Sequence, residues 1–401
     1  MARGFLDGVS EGRVLGWAWD PASPSTRQRV ALTIDGQPVA DVTAEGVRPD
    51  LESAGVGDGG HAFDVPVPGR FFDGRRHRID ARVVGGDQLD GSPWQGRLGT
   101  ASGPDQVPAF RSRYGGLWTD LSNAEELLDG RLALGRVTPE EGEPLRRFIR
   151  DGYVIFRGAV PPAELARLNA SIASCTTGGD PRIWVESFGP NGTSYETLRP
   201  DHVQSRAKVL DLHAHLPAAR DVAFSPVIAG FLEHVFERPL LAFQSLYLQR
   251  GVEQPLHVDT AYVKVSSPNE LVAAWVALEP IRAGSGELEL YAGSHALEEE
   301  LFEGAKWMPP GHVAPDVWGD TLRGRCEQAE LRYERFIARP GDVLLWAADL
   351  VHGGSRCADD TLTRRSFVVH YCPATLDPIY DGPAAPRFEH APGHGYTYCL
   401  R

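Results

Sequence analysis

Two periodicities divide the chain. Over residues 1 to about 100, apolar and polar positions alternate in short runs, as in "HAFDVPVP" and "HRIDARVV". A period of two belongs to a strand with one buried face. "RVALTIDGQPVADVTA" sets two such runs around Asp35-Gly36, a pair suited to a tight hairpin turn because Gly tolerates positive φ. "GRVLGWAWD" places Trp17 and Trp19 two apart, on one face of a strand, where core packing is expected rather than a sugar platform. No helical period appears here, and a small all-β sandwich is predicted.

Further along the period lengthens. Thr138, Pro139 and Glu141 form a helix-start signature, with a capping residue, a proline at the first helical position and a capping-box partner. Leu145, Phe148 and Ile149 supply the buried stripe, and the chain turns at Asp151-Gly152 into a strand, "YVIF". "PPAELARLNASIAS" and "SPVIAGFLEHVFE" predict two more helices. From Leu240 onward short strands dominate: "LLAFQSLYLQRG", "LVAAWVALEPI", "GELELYAGSH", "GDVLLWAA" and "RRSFVVHYCP". Helices followed by antiparallel-type strands predict an α+β layout, the strands closing into a barrel or a two-sheet jelly roll. "ASGPDQVPAF" is rich in Gly, Pro and Ser and reads as a linker. The expected order is a sandwich over residues 1–100, a linker over 101–110 and a second domain over 111–401.

A length of 401 residues agrees with two domains, and 42% hydrophobic with 23% charged residues is ordinary globular composition. The net charge of −14 argues against a nucleic-acid partner. No apolar run is long enough to span a bilayer, and "MARGFLDGVSEGR" lacks the apolar stretch of a signal peptide, so a cytoplasmic protein with no membrane partner is expected. Five scattered cysteines without a C-x-x-C pair fit reduced thiols better than a disulfide framework or a zinc knuckle.

The candidate chemistry lies in the second half. His257 and Asp259, in "PLHVDTAYV", stand at i and i+2 and point to the same side of an extended segment, so both can reach one ion. A third ligand is offered by His352 in "GDVLLWAADLVHGGS", ahead of two glycines expected to turn the backbone tightly. Two histidines and a carboxylate on one side of an octahedral ion leave three positions open, the arrangement of non-haem Fe(II) oxygenases. The best-known occupant is 2-oxoglutarate, whose distal carboxylate needs a buried cation, best a guanidinium. Arg364 and Arg365 follow His352, and adjacent strand residues face opposite ways. Arg364 shares a side with Ser366, Val368 and His370, Arg365 with Phe367, Val369 and Tyr371, and periodicity leaves open which side is inward.

Six segments stand in one order: "FIRDGYVIFRGAVPPAEL", "HVDTAY", "LVAAWVALEPI", "GSGELELYAGSH", "PGDVLLWAADLVHGGS" and "RRSFVVHY". With them the chain, from about residue 137 to 375, resembles the phytanoyl-CoA dioxygenase family of Fe(II)/2-oxoglutarate oxygenases. The resemblance implies a double-stranded β-helix, a jelly-roll core flanked by helices, with His257, Asp259 and His352 as the metal ligands. It implies Arg364 as the oxoglutarate arginine, six residues before His370, with Arg365 in reserve. It further places Trp275 beside the co-substrate and His295 close to the ligands. The implied reaction consumes 2-oxoglutarate and O2 at Fe(II) and oxidises a C–H bond, with hydroxylation, desaturation, epimerisation or ring formation as outcomes. Related halogenases have Ala or Gly where this chain has Asp259, so a carboxylate there argues for oxygenation. The first hundred residues, with "GWAWDP", "IDG", "RPDL" and "GDGGHAF", resemble a β-rich module found beside bacterial glycosyltransferases, which implies a sugar-containing context.

The expected partner is a small molecule, a natural-product or sugar-containing intermediate, with an acyl-CoA thioester as the alternative. A zinc hydrolase with the same three ligands and a non-catalytic glycan-associated protein are the competing classes. Residues 176–206 and 300–335, with Trp184, Trp307, Trp318, Arg323 and Arg325, look like insertions able to form lids or pocket walls.

Overall fold

The computed structural model describes residues 2–10, 12–68, 71, 75–98, 110–189, 192–380, 385–391 and 396–399. They fall into two compact units, Met1–Gly116 with Asp120–Asn123, and Leu117–Thr119 with Ala124–Arg401. Of the expected linker only Phe110 is described.

The first unit contains β1 (Arg3–Ser10), β2 (Arg13–Trp19), β3 (Arg29–Ile34), β4 (Gln37–Thr43), the short helix α1 (Pro49–Ser53), β5 (Ala62–Pro66), β6 (Arg76–Val83) and β7 (Trp94–Arg97). The strands form two antiparallel sheets, β1–β2–β5 and β4–β3–β6–β7. Leu6, Val14 and Ala18 from one sheet and Val30, Leu32, Ile34, Ile79 and Ala81 from the other share one core, which is a sandwich. Asp35 (φ 51°) and Gly36 (φ 78°) both adopt the left-handed conformation that a two-residue hairpin needs. Trp17 and Trp19 correct the expectation made for them. They lie on the other face of β2, packed with Leu51, Val56 and Ala62 under α1, outside the sandwich core.

The second unit begins with α2 (Ala124–Ala133), α3 (Pro139–Asp151), β8 (Tyr153–Phe156) and α4 (Pro162–Gly178). Thr138 and Glu141 close a reciprocal capping box at the start of α3, and Gly152 (φ 77°) ends it in the left-handed conformation. A hairpin follows, β9 (Asp180–Gly189) and β10 (Gly192–Leu198), then β11 (Lys208–Leu210) and the helices α5 (Leu212–His215), α6 (Pro217–Ala223) and α7 (Pro226–Phe236). The core strands are β12 (Leu240–Leu248), β13 (Val272–Ala277), β14 (Leu288–Ala292), β15 (Arg332–Phe336), β16 (Val343–Ala347), β17 (His352–Gly354) and β18 (Ser366–Pro373), with α8 (Pro315–Gln328) between β14 and β15. A last hairpin, β19 (Arg387–Ala391) and β20 (Tyr396–Cys399), adds to the edge of β12.

The larger sheet runs β10–β9–β11–β12–β18–β13–β16–β8, and the smaller runs β15–β14–β17. Ala273, Trp275, Leu344, Trp346 and Val368 from the large sheet meet Leu288, Leu290 and Phe336 from the small one in a single cluster. The sheets therefore face each other as a jelly roll. The helices cover the outer face of the large sheet: Tyr371 donates to Ala223 O of α6 at 2.6 Å, and Phe231 of α7 packs edge-on against Phe156 of β8. With both faces covered, β13, β16 and β18 are buried at every position, which explains the unbroken apolar runs of β13 and β16.

Among the described residues all five cysteines are free thiols, and no described helix is long and apolar enough to cross a membrane.

Candidate metal centre

The centre is built where the chain returns from the end of β12 and meets β17. His257 and His352 are β-bridge partners, each backbone amide donating to the other's carbonyl at 2.9 and 3.0 Å. This sets the two imidazoles side by side, ring centroids 4.3 Å apart. Val258 is extended (φ −115°, ψ 144°), so the Asp259 carboxylate points to the same side as His257 before a single 3-10 turn begins. The Asp259 amide donates to Ala348 O at 3.0 Å, which ties this turn to the loop leading into β17.

The three side chains are buried, and one ligand atom of each lies within 4.8 Å of the others. Asp259 Oδ1 is 3.9 Å from His257 Nε2 and 3.7 Å from His352 Nε2. Both Nδ1 atoms lie 2.9 Å from backbone carbonyls, of Pro255 and of Leu350. A carbonyl only accepts, so each Nδ1 carries a proton, and each Nε2 faces the carboxylate. Burial pushes the His257 pKa down to about 3, with the neighbouring His352 adding to the effect, so that imidazole is neutral at physiological pH. Burial works to raise the Asp259 pKa, but His352, His370 and His257 outweigh it and hold it below the ordinary carboxylate range. Two imidazoles and one carboxylate form a donor set for a divalent transition metal.

Two further side chains hold the other oxygen of Asp259. Trp346 Nε1 of β16 donates to Oδ2 at 2.8 Å, and His370 Nε2 of β18 lies 3.6 Å from it. The Trp346 ring also packs against His352, centroids 4.7 Å apart. Sequence reasoning missed Trp346, whose one signal is an aromatic residue inside an otherwise aliphatic strand six positions before His352. Gly353 and Gly354 do not turn the chain as expected. Neither has positive φ, and a Cβ on Gly353 would lie 2.9 Å from Gln254 O. The glycines are needed for the close approach of β17 to the segment carrying His257.

Arg364 and Arg365 part company. Arg365 runs outward into an ion pair with Glu279 at 2.7 Å. Arg364 is 3% exposed and turns to the interior face of β18, the face that also carries Ser366, Val368 and His370. Burial pulls its pKa down to about 10, which leaves it charged at neutral pH. Its Nε has no hydrogen-bond partner among the described residues, and neither do Ser366 Oγ, Trp275 Nε1 and His370 Nδ1. The guanidinium carbon lies 5.9 Å from the Trp275 ring, which is itself buried edge-on against Phe336. A buried cation and three buried polar atoms without partners, all on one lined interior, fit a polar ligand that would supply what they lack.

Other candidates lie elsewhere. His295 packs against Gly152 with Nε2 3.2 Å from Ile149 O, at the end of α3. Arg323 and Arg325 engage Glu289 and Glu300, and Trp318 is buried against Phe302. The segment before α8 nevertheless reaches the centre through Lys306, which is 2% exposed. Its ammonium pairs with Asp349 and with Glu299 (3.4 Å), and Asp349 accepts from Thr260 Oγ1 at 2.6 Å. Thr260 follows Asp259, and Asp349 lies three residues before His352.

The family model for phytanoyl-CoA dioxygenase (PhyH) matches residues 148–365, more than half of the chain. A search of curated protein sequences finds no match. Among solved structures, the chain is similar to the non-heme alpha ketoglutarate dependent epimerase SnoN from nogalamycin biosynthesis (22% identity, 65% of this chain and 96% of that one, TM-score 0.47). It is also similar to the carbocyclase SnoK from the same biosynthesis (18%, 59% and 85%, TM-score 0.40). A third similar structure is EctD from S. alaskensis with 2-oxoglutarate and 5-hydroxyectoine (17%, 58% and 76%, TM-score 0.44).

Proposed function

The chain belongs to the phytanoyl-CoA dioxygenase (PhyH) family, and from that membership we propose that it is a non-haem Fe(II)- and 2-oxoglutarate-dependent oxygenase. It acts on a C–H bond of a small molecule, a natural-product or sugar-containing intermediate. One observation carries the reading. The buried guanidinium of Arg364, its Nε without a partner among the described residues, stands in the same interior where two imidazoles and a carboxylate converge. A zinc hydrolase would use the three ligands and leave that cation without a purpose.

Iron with 2-oxoglutarate and dioxygen supplies, when bound, an oxidant strong enough for an unactivated C–H bond, with succinate and carbon dioxide as co-products. The chain's own residues hold and orient. His257 and His352 present their Nε2 atoms, with each Nδ1 proton held by a backbone carbonyl, and Asp259 stays ionised because its carboxyl is held below the ordinary carboxylate range. Trp346 fixes Asp259 Oδ2 and so leaves Oδ1 for the metal. Arg364 takes the distal carboxylate of the co-substrate, for which a planar fork of donors is the best match. Trp275, Leu290, Leu344 and Val368 line the interior and exclude water from it. The carboxylate at position 259 fills the place that related halogenases leave open, which supports oxygenation.

Anaerobic titration tests the reading. The protein should bind Fe(II) and then 2-oxoglutarate without any substrate present. Arg364→Ala should weaken oxoglutarate binding about a hundredfold, the ~3 kcal/mol of a lost charge-assisted pair. Arg365→Ala should leave it unchanged, because that side chain is engaged with Glu279. Wild-type oxoglutarate affinity in Arg364→Ala, or Fe(II) binding that survives Asp259→Ala undiminished, would refute the assignment.

A further inference from the structure

The large sheet continues past the wall of the jelly roll. Register pairs Ser366 of β18 with Leu248 of β12, Leu248 with Lys208 of β11, and Lys208 with Glu186 of β9. On the outermost pair, Glu186 stands opposite Tyr195, and Trp184 opposite Thr197. Directly opposed residues share a face of a sheet. Trp184, Glu186, Tyr195 and Lys208 therefore lie on the face that, a few strands further in, carries Leu248 and Ser366 inside the jelly roll.

The reverse side of the β9–β10 hairpin is anchored by Ile183 and Val185, both fully buried. Its interior-continuous side is open, with Trp184 50% and Tyr195 59% exposed. Glu186, two residues from Trp184 and opposite Tyr195, accepts from Tyr195 Oη at 3.0 Å and lies 3.4 Å from Lys208 Nζ. The shelf continues into the interior of the jelly roll, because Leu248, opposite Lys208, belongs to the same buried cluster as Trp275 and Trp346. The half-exposed Tyr262 packs edge-on against the His257 ring at 5.7 Å.

Resting on the oxygenase reading, we propose that Trp184, Tyr195 and Glu186 form a substrate subsite for a neutral sugar ring, on the sheet face that continues into the jelly-roll interior. Rigid aromatic rings on a sheet offer flat apolar surface at little entropic cost, and the C–H face of a pyranose stacks on such a surface. The carboxylate beside them has acceptor sites left over for the hydroxyl edge, beyond those taken by Tyr195 and Lys208. A purely aromatic ligand would stack equally well but leave those remaining acceptor sites unused. An anionic group such as the nucleotide of a CoA thioester would meet Glu186 and a net charge of −14.

The test uses the full chain, loaded anaerobically with Fe(II) and 2-oxoglutarate, and methyl glucopyranoside and methyl rhamnopyranoside as probes in saturation-transfer NMR. The expected result is millimolar binding with transfer centred on one C–H face of the ring. Trp184→Ala should weaken it about tenfold and Trp184→Phe much less, with unchanged oxoglutarate affinity reporting an intact fold. Sugar binding indifferent to Trp184→Ala, no sugar binding at all, or Trp184-dependent binding of 2-naphthol or adenosine 3′,5′-bisphosphate in place of the glycosides would each overturn the proposal. The oxygenase reading fails by a different sign, no oxoglutarate binding to the wild-type protein, which is read before any glycoside is added.

Discussion

Replacing Lys306 by Met should loosen the metal centre from a distance. Methionine keeps most of the apolar stem and removes the ammonium. Among the described residues Asp349 then retains only Thr260 as a side-chain partner, and its carboxylate is left near that of Glu299. Stripping one partner from a fully buried ion pair costs about 3–5 kcal/mol. Here the two carboxylate side chains are 23% and 16% exposed, so water recovers part of that loss and about 2–3 kcal/mol is expected. Because Thr260 adjoins Asp259 and Asp349 precedes His352 by three residues, the loss should also reach the ligands, lowering Fe(II) affinity about tenfold, as loss of a supporting contact around a metal site does. Denaturant midpoints and chelator competition measure the two effects separately. Asp349→Asn and the double variant complete a cycle. Single losses that add within about 0.5 kcal/mol, or unchanged metal affinity in Lys306→Met, would refute the idea that this segment braces the centre.

Trp346→Phe removes the 2.8 Å donor to Asp259 Oδ2 while keeping the ring packing; Fe(II) affinity by chelator competition should fall about 10- to 100-fold, and wild-type affinity would count against the orienting role. Gly353→Ala puts a Cβ 2.9 Å from Gln254 O, between two backbone segments that cannot both yield; a stability loss of about 1–3 kcal/mol is expected in urea unfolding, with weaker metal binding. His213 is fully buried, with its pKa pushed down by burial to about 3. The native state thus holds it unprotonated while the unfolded chain takes up a proton below about 6.5. Its stability contribution is complete above that pH and lost as pH falls towards 3, at about 1.4 kcal/mol per unit. His213→Asn, whose amide can keep the contact to Ser245, should therefore shallow the acid limb of the stability–pH curve by about one proton, and an unchanged limb would show that His213 does not titrate on unfolding.

Much of the fold is legible because it is local. The Asp35-Gly36 hairpin and the Thr138–Glu141 capping box depend on conformational preferences within a few residues, and both stand where the pattern puts them. The two-residue spacing of His257 and Asp259 likewise sets their common side through the extended Val258 between them. The β9–β10 hairpin was visible only as an insertion, since its exposed face has no apolar period to betray it. Trp17 and Trp19 were misread because alternation says that two residues share a face but not whether that face meets the opposing sheet or a helix.

The amino-acid sequence by itself determined the helix caps, the hairpin turn, the alternation that builds each sheet and the residue types able to hold iron and a dicarboxylate. It could not choose between Arg364 and Arg365, because a period of two has no inside. That choice came from the stacking of one sheet on another, which buries Arg364 and leaves Arg365 to Glu279. Trp346 reaches Asp259 across 87 positions of chain, and Lys306 reaches the same centre through Asp349. Contacts at such separations follow from packing the whole domain, where burial of apolar faces decides which polar groups meet.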